Sequence, residues 1–344
     1  MAYERILVGT DGSETALVAL RTAAGLATRT GAEVHIVCAH GDGVEEKRAI
    51  QVLSEARRAV RDAGARTRTH LRAGEPAPVL LDVAGLHAID LIVVGNVGMG
   101  RARRFKLGGI AEHIAASSPC DVLIVHSKDR QGTDGAYRHM VIGTDGSPTA
   151  TEAARKGVEL ARTLDAEVTL VHVGDPLVGA VVLEEAATAA AGVRDVRSRP
   201  EEGDPAERIV DVAASAAADL VVVGNKGLAG PRRYLMGSVP SRVAHESPVD
   251  VLIVKTVGRS IDDLAPGHGG LVLVEGRRLA IFKAEDGTVT ALSPRCQHMG
   301  CTVDWNDADR TWDCPCHGSR YRFDGTVIKG PAKKDLDRAE LRRT

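Results

Sequence analysis

The chain has 344 residues, enough for two or three domains that each bury a core. Its formal net charge of -2 argues against a nucleic-acid or anionic-membrane partner, and no apolar run approaches the ~20 residues that span a bilayer. Aromatic residues are only 3% against 44% hydrophobic, so the cores must be built from Val, Leu, Ile and Ala, which favours helices layered on sheets.

The chain enters a strand-like run directly, R-I-L-V-G-T-D-G-S from Arg5 to Ser13, with no basic region, apolar h-region or small-residue cleavage site ahead of it. The expectation is a cytoplasmic chain. A helical stretch follows from Thr15 to Thr30, then the apolar runs A-E-V-H-I-V-C-A from Ala32, L-I-V-V-G-N from Leu91 and V-L-I-V from Val122. Each returns: M-V-I-G-T-D-G-S from Met140, A-E-V-T-L-V-H-V from Ala166, L-V-V-V-G-N from Leu220 and V-L-I-V from Val251. One domain, spanning 1–128, therefore recurs at 137–256. Short β-branched runs alternating with alanine-bearing stretches such as Glu152 to Leu164 predict an α/β fold, with an open, parallel, five-stranded sheet and helices on both faces in each copy. The near-continuous apolar runs suit strands buried on both faces.

In the second copy the fourth strand ends in Gly224-Asn225-Lys226-Gly227, and nine residues later come Gly237 and Ser238, opening a helix. Glycines after a strand let backbone N–H groups approach an anion, and a helix N-terminus adds donors and the positive end of its dipole. Such glycines are also ordinary turns. The spacing G-x2-G-x9-G-S resembles the ATP-binding motif of universal stress proteins, and the duplicated unit resembles that family from about Ala2 to Val254. The resemblance implies that Asp145 lies near adenosine, Val173 by the base, and Gly224, Gly227, Gly237 and Ser238 around ribose and phosphates, with ATP or another adenine nucleotide as ligand. The first copy keeps Asp11, Gly95, Gly98 and Gly108 but has Gly109 for the serine and Ala39 for the valine, so a weaker nucleotide site, or none, is expected there. Members of that family commonly pair through their last strands. Val122 to Val125 and Val251 to Val254 are thus expected to pair within the chain, which leaves no need for a homodimer while a homo-oligomer stays open.

Other residues of the tandem read as structure. Arg103-Arg104 and Arg232-Arg233 fall at matching places in the glycine loops, facing either phosphate or solvent. Cys38 and Cys120 belong to apolar strands as small hydrophobes, His172 reads as packed core, and His35, His87 and His113 show no metal spacing. No triad order, paired-carboxylate motif or Walker-type lysine loop appears, so hydrolysis is not indicated.

After Val254 the periodicity stops in an acidic, Gly/Pro-bearing linker, I-D-D-L-A-P-G-H-G-G. From Leu271, alternating runs broken at Glu275-Gly276 and Asp286-Gly287 predict hairpins, hence a small antiparallel all-β domain over 261–344. Trp305 and Trp312 are expected to pack within it. It carries C-Q-H-M-G-C from Cys296 and C-P-C-H-G-S-R-Y from Cys314. Cys296 with His298, and Cys314 with His317, make a two-thiolate, two-imidazole set. One tetrahedral zinc would accept it, as would a [2Fe-2S] cluster with both thiolates on one iron and both imidazoles on the other.

The whole segment closely resembles Rieske proteins. That resemblance implies a Rieske domain with Cys296, His298, Cys314 and His317 as cluster ligands and a disulfide between Cys301 and Cys316. Ser319 and Tyr321 stand where hydroxyls raise the reduction potential, and the run Gly325 to Ala332 matches the Gly-Pro-Ala loop that covers the cluster. Gln297 and Met299 depart from the usual Thr and Leu at the tip. Such a disulfide is unusual in a reducing compartment. The resulting expectation is a soluble electron-transfer or redox-sensing protein joined to an adenine-nucleotide-binding stress-response tandem, working between a redox donor and acceptor yet to be identified. The alternative is a non-enzymatic ATP-binding regulator or scaffold whose cluster is structural or oxidant-sensing.

Overall fold

The computed structural model describes residues 3–41, 45–96, 107–126, 135–225, 237–255, 261, 264–274, 277–314 and 316–341. The first repeat runs β1 (Arg5–Gly9), α1 (Glu14–Thr30), β2 (Glu33–His40), α2 (Glu46–Asp62), β3 (Arg66–Ala73), α3 (Pro76–Leu86), β4 (Leu91–Gly95), α4 (Gly109–Ser117) and β5 (Asp121–Val125). The second runs β6 (His139–Gly143), α5 (Pro148–Leu164), β7 (Glu167–Val173), α6 (Pro176–Ala189), β8 (Val196–Glu201), α7 (Pro205–Ser215), β9 (Leu220–Gly224), α8 (Ser238–Glu246) and β10 (Asp250–Val254).

Local chemistry starts the helices alike in both repeats. Asp11 accepts the Ser13 N–H at 2.8 Å, and Ser13 Oγ caps α1 by accepting from Ala16 N at 3.3 Å. Asp145 and Ser147 repeat this at the head of α5, with distances of 3.0 and 3.2 Å. Gly12 and Gly146 sit between them at φ 78° and 76°, a backbone that glycine adopts without strain. Each repeat forms a parallel five-stranded sheet, and the two merge because β5 and β10 pair antiparallel. The result is one ten-stranded sheet in the order β3-β2-β1-β4-β5-β10-β9-β6-β7-β8. One apolar layer lies under α1, α2, α5 and α6, and the other under α3, α4, α7 and α8.

Reciprocal contacts lock this seam. Asp121, at the start of β5 and 0% exposed, accepts Lys255 N from just beyond β10 at 2.8 Å, Tyr3 Oη at 3.0 Å and Lys156 Nζ at 2.6 Å. Asp250, at the start of β10, accepts His126 N from just beyond β5 at 2.9 Å and Tyr137 Oη at 2.7 Å. Each carboxylate thereby satisfies an N–H that the ladder leaves over where the other strand ends.

The third part comprises β11 (His268–Val274), β12 (Arg277–Lys283) and β13 (Val289–Leu292) in one antiparallel sheet. A second sheet holds β14 (Asp304–Asn306), β15 (Thr311–Asp313), β16 (Arg320–Arg322) and β17 (Val327–Lys329). Trp305 and Trp312 meet edge to face at 4.9 Å, with Phe282 on Trp305, and fill the core. The domain touches the first repeat where Arg295 pairs with Asp82 of α3 and where Cys316 Sγ lies 3.9 Å from His113 Nε2 of α4. Among the described residues no helix is long and apolar enough to cross a membrane.

Replacing Asp121 by Ala strands the Lys255 N–H, the Tyr3 hydroxyl and the Lys156 ammonium at a buried seam. Removing one partner of a buried charge pair costs about 3–5 kcal/mol. Denaturant unfolding of Asp121→Ala is expected to show a loss in that range, whereas replacing the exposed Glu55 on α2 leaves the midpoint within about 0.5 kcal/mol of the parent.

Candidate metal centre and nucleotide edge

Two loops of the same design build the tip of the third domain. In the first, Cys296 N donates to Cys301 O at 2.7 Å and Gly300 N to Cys296 O at 2.8 Å. In the second, Cys314 N donates to Ser319 O at 2.7 Å and Gly318 N to Cys314 O at 3.1 Å. Gly300 and Gly318 turn these loops at φ 76° and 72°. Cys301 and Cys316 are disulfide-bonded, with Cα atoms 6.6 Å apart, and tie the loops together.

This places Cys296 and Cys314 inward, 2% and 3% exposed, while His298 and His317 point outward at the rim. The two imidazole rings lie edge to face with centroids 4.8 Å apart. The buried thiols are in contact. A hydrogen bond from Cys314 holds the Cys296 thiol down to about 5, and the same neighbour together with burial pushes Cys314 far up. Tyr321 Oη is 3.1 Å from Cys296 Sγ and accepts from Gln297 N at 3.1 Å, and burial followed by the Cys296 contact raises its pKa. The sulfurs of Cys301, Cys314 and Cys316 also gather within 4.8 Å, but two of them are spent in the disulfide, which leaves Cys296 and Cys314 as the available thiolates. Two soft donors inside and two imidazoles outside fit a cluster with chemically different irons.

Ser319 is fully buried, and its Oγ accepts from Ala332 N at 3.2 Å. Gly330 covers it at φ 107°, so close that a Cβ there would stand 2.4 Å from Ser319 Cα.

At the other candidate site, the described residues converge at the carboxyl ends of adjacent strands. Asp145 follows β6, Val173 ends β7, Gly224 ends β9, and Gly237 and Ser238 head α8. Strand order reverses between β6 and β9, the place where open parallel sheets take ligands. Gly237 N donates to Asn225 O at 3.0 Å and closes the base of the intervening loop, as Gly108 N does to Asn96 O at 2.7 Å in the first repeat. Sequence reasoning passed over this asparagine, although it follows the strand-end glycine in both copies. Gly224 has a structural reason too, since a Cβ would meet Thr149 O at 2.9 Å. Asp11, Gly95, Gly108 and Gly109 occupy the corresponding places in the first repeat. Gly98, Gly227 and the two arginine pairs lie outside the described residues. His172 is packed core, with Nδ1 3.1 Å from Thr144 O.

The model of the universal stress protein family matches residues 2–126, 136–189 and 177–255. The chain belongs to the universal stress protein family. Residues 255–340 match the Rieske [2Fe-2S] domain, so this universal stress protein carries a tandem followed by a Rieske domain, and that domain implies a [2Fe-2S] cluster. A universal stress protein of Mycolicibacterium smegmatis is 28% identical over 292 residues, covering 73% of this chain and 96% of that protein. The putative Rieske 2Fe-2S iron-sulfur protein YhfW of Bacillus subtilis is 46% identical over 80 residues, which are 23% of this chain and only 16% of that protein. A solved universal stress protein from Archaeoglobus fulgidus, 21% identical with a TM-score of 0.61, covers 73% of this chain and 98% of its own and shares the tandem fold.

Gly330→Ala puts a methyl into the Ser319 backbone from a left-handed conformation, a strain of about 1–3 kcal/mol before any clash. Limited proteolysis is expected to cut the Rieske domain of this variant first and leave the tandem intact.

Proposed function

We propose that this protein transfers or senses single electrons in the cytoplasm through its Rieske domain, under the influence of an adenine nucleotide bound by the second repeat. The observation that carries the reading is the arrangement at the tip, with two buried thiols behind two exposed imidazoles. In this reading Cys296, Cys314, His298 and His317 would hold the cluster, the thiolates from the buried side and the imidazoles from the exposed side. When bound, the cluster supplies a one-electron couple. The exposed edges of His298 and His317, beside Met299 at 57% exposure, form the surface on which a redox partner docks. Tyr321 donates toward the Cys296 sulfur, and Ser319 braces the covering loop. A donor such as Tyr321 favours the more negative reduced state.

Asp145, Val173, Gly224, Gly227, Gly237 and Ser238 make the nucleotide site of the second repeat. Asp11, Gly95, Gly98 and Gly108 make the weaker one, which lacks the serine hydroxyl. The Rieske domain contacts α3 and α4 of the first repeat, so a nucleotide in the second repeat acts on its placement only through the shared sheet. Nucleotide shifts that placement only by its differential affinity for two arrangements.

Electron paramagnetic resonance of anaerobically purified protein, titrated in potential with and without ATP, tests both halves. A Rieske signal whose midpoint or partner-reduction rate moves with ATP supports the coupled reading, and identical values with and without ATP end the coupling. Colourless protein holding stoichiometric zinc after reconstitution ends electron transfer and leaves a nucleotide-binding regulator. Tyr321→Phe removes a donor whose preference for the reduced state is worth about 1 kcal/mol, so its midpoint is expected to fall by on the order of 50 mV while the signal remains.

A further inference from the structure

Three imidazoles that lie far apart in the sequence meet in the first repeat. His35 projects from β2, His70 from β3 and His87 from the end of α3. Ring centroids are 5.1 Å apart for His35 and His70, 4.5 Å for His70 and His87, and 5.3 Å for His35 and His87. His35 and His70 are 2% and 8% exposed, and His87 is half-buried. The spacing of His35 and His87 in the sequence gives no sign of this, because the third member comes from a neighbouring strand.

The fold does not demand the cluster. In the second repeat Thr169 stands at the place of His35, Arg199 at that of His70 by strand register, and Ala216 at that of His87. There His139 alone fills the space, with one ring nitrogen 2.8 Å from Thr169 Oγ1 and the other 3.0 Å from Ala216 O. The first repeat instead buries polar rings that cannot all satisfy one another, since a neutral imidazole has one donor and one acceptor. His35 Nδ1 and His70 Nε2 face each other at 3.1 Å. His35 Nε2 is buried without a good hydrogen bond, the Glu33 carboxylate standing 3.4 Å away.

We infer that His35, His70 and His87 form a binding site for a divalent transition-metal cation of the zinc class, separate from the Rieske centre. Two nitrogens bound tetrahedrally to zinc at 2.0–2.1 Å stand about 3.3 Å apart, which the His35–His70 pair matches within a few tenths of an ångström. As the side chains stand, the three rings do not bring one nitrogen each within 4.8 Å of the other two, so His87, the most accessible of them, completes the set only by turning at the helix end. Glu33 takes the orienting place behind His35, where a carboxylate receives the proton of the remote ring nitrogen, and Arg68 Nε steadies it at 3.0 Å from Oε1. Imidazole donors suit zinc, copper and nickel, whereas a hard cation would require carboxylates.

The test uses cluster-loaded protein, so that Cys296 and Cys314 are occupied, dialysed against Zn2+ and analysed for metal. One zinc per chain beyond the cluster iron is expected, with affinity falling at least about tenfold in His87→Ala and in His70→Arg. Both variants install the second repeat's own residue, and His87→Ala changes a half-buried position, so circular dichroism is expected to match the parent. Zinc uptake undiminished in both variants overturns the assignment, as does the absence of stoichiometric uptake by the parent.

Discussion

The antiparallel pairing of β5 with β10 is the constraint on which the rest of the molecule depends. Each strand closes one parallel sheet, is buried on both faces and has an open edge of unpaired backbone groups. Left apart, those edges would recruit other chains. Joining them hides both and continues each apolar layer across the two repeats. The cost is that polar groups at the strand ends become inaccessible to water, and Asp121 and Asp250 meet it reciprocally. Because the seam is antiparallel, the strands of the two repeats run in opposite directions. Their carboxyl edges therefore face opposite ends of the sheet.

The seam also holds the last described residue of the tandem. Lys255 follows β10, its N–H is held by Asp121, and its ammonium donates to Ala115 O at the end of α4 at 2.5 Å. Lys255 is thus held against α4, the helix whose His113 lies beside Cys316. Nothing in the hydrophobicity of the linker would convey this.

Within the Rieske domain, backbone geometry sorts the donors. Each loop ties its cysteine down with two main-chain hydrogen bonds and a positive-φ glycine, so the thiol turns into the core while the histidine two or three residues on remains at the rim. The disulfide ties the loops together, and Gly330 packs on the second loop at Ser319. Two buried thiols behind two exposed imidazoles suit a two-iron centre with chemically different ends.

The sequence by itself determined the duplication, the parallel α/β character of each copy and the two Cys/His loops. These features rest on local rules: strand and helix periodicity, glycine where the backbone demands it, and ligands a few residues apart. Even the capping of α1 and α5 was present in T-D-G-S, although its glycine and aspartate serve the turn itself as well as any ligand. Tertiary structure alone decided how distant residues meet. Asp121 and Asp250 look like ordinary strand-leading acids until the opposite strand supplies their donors. His35, His70 and His87 become a cluster only when strand register and the length of α3 bring them to one point, since through-space neighbours in a parallel sheet are separated by whole crossover helices.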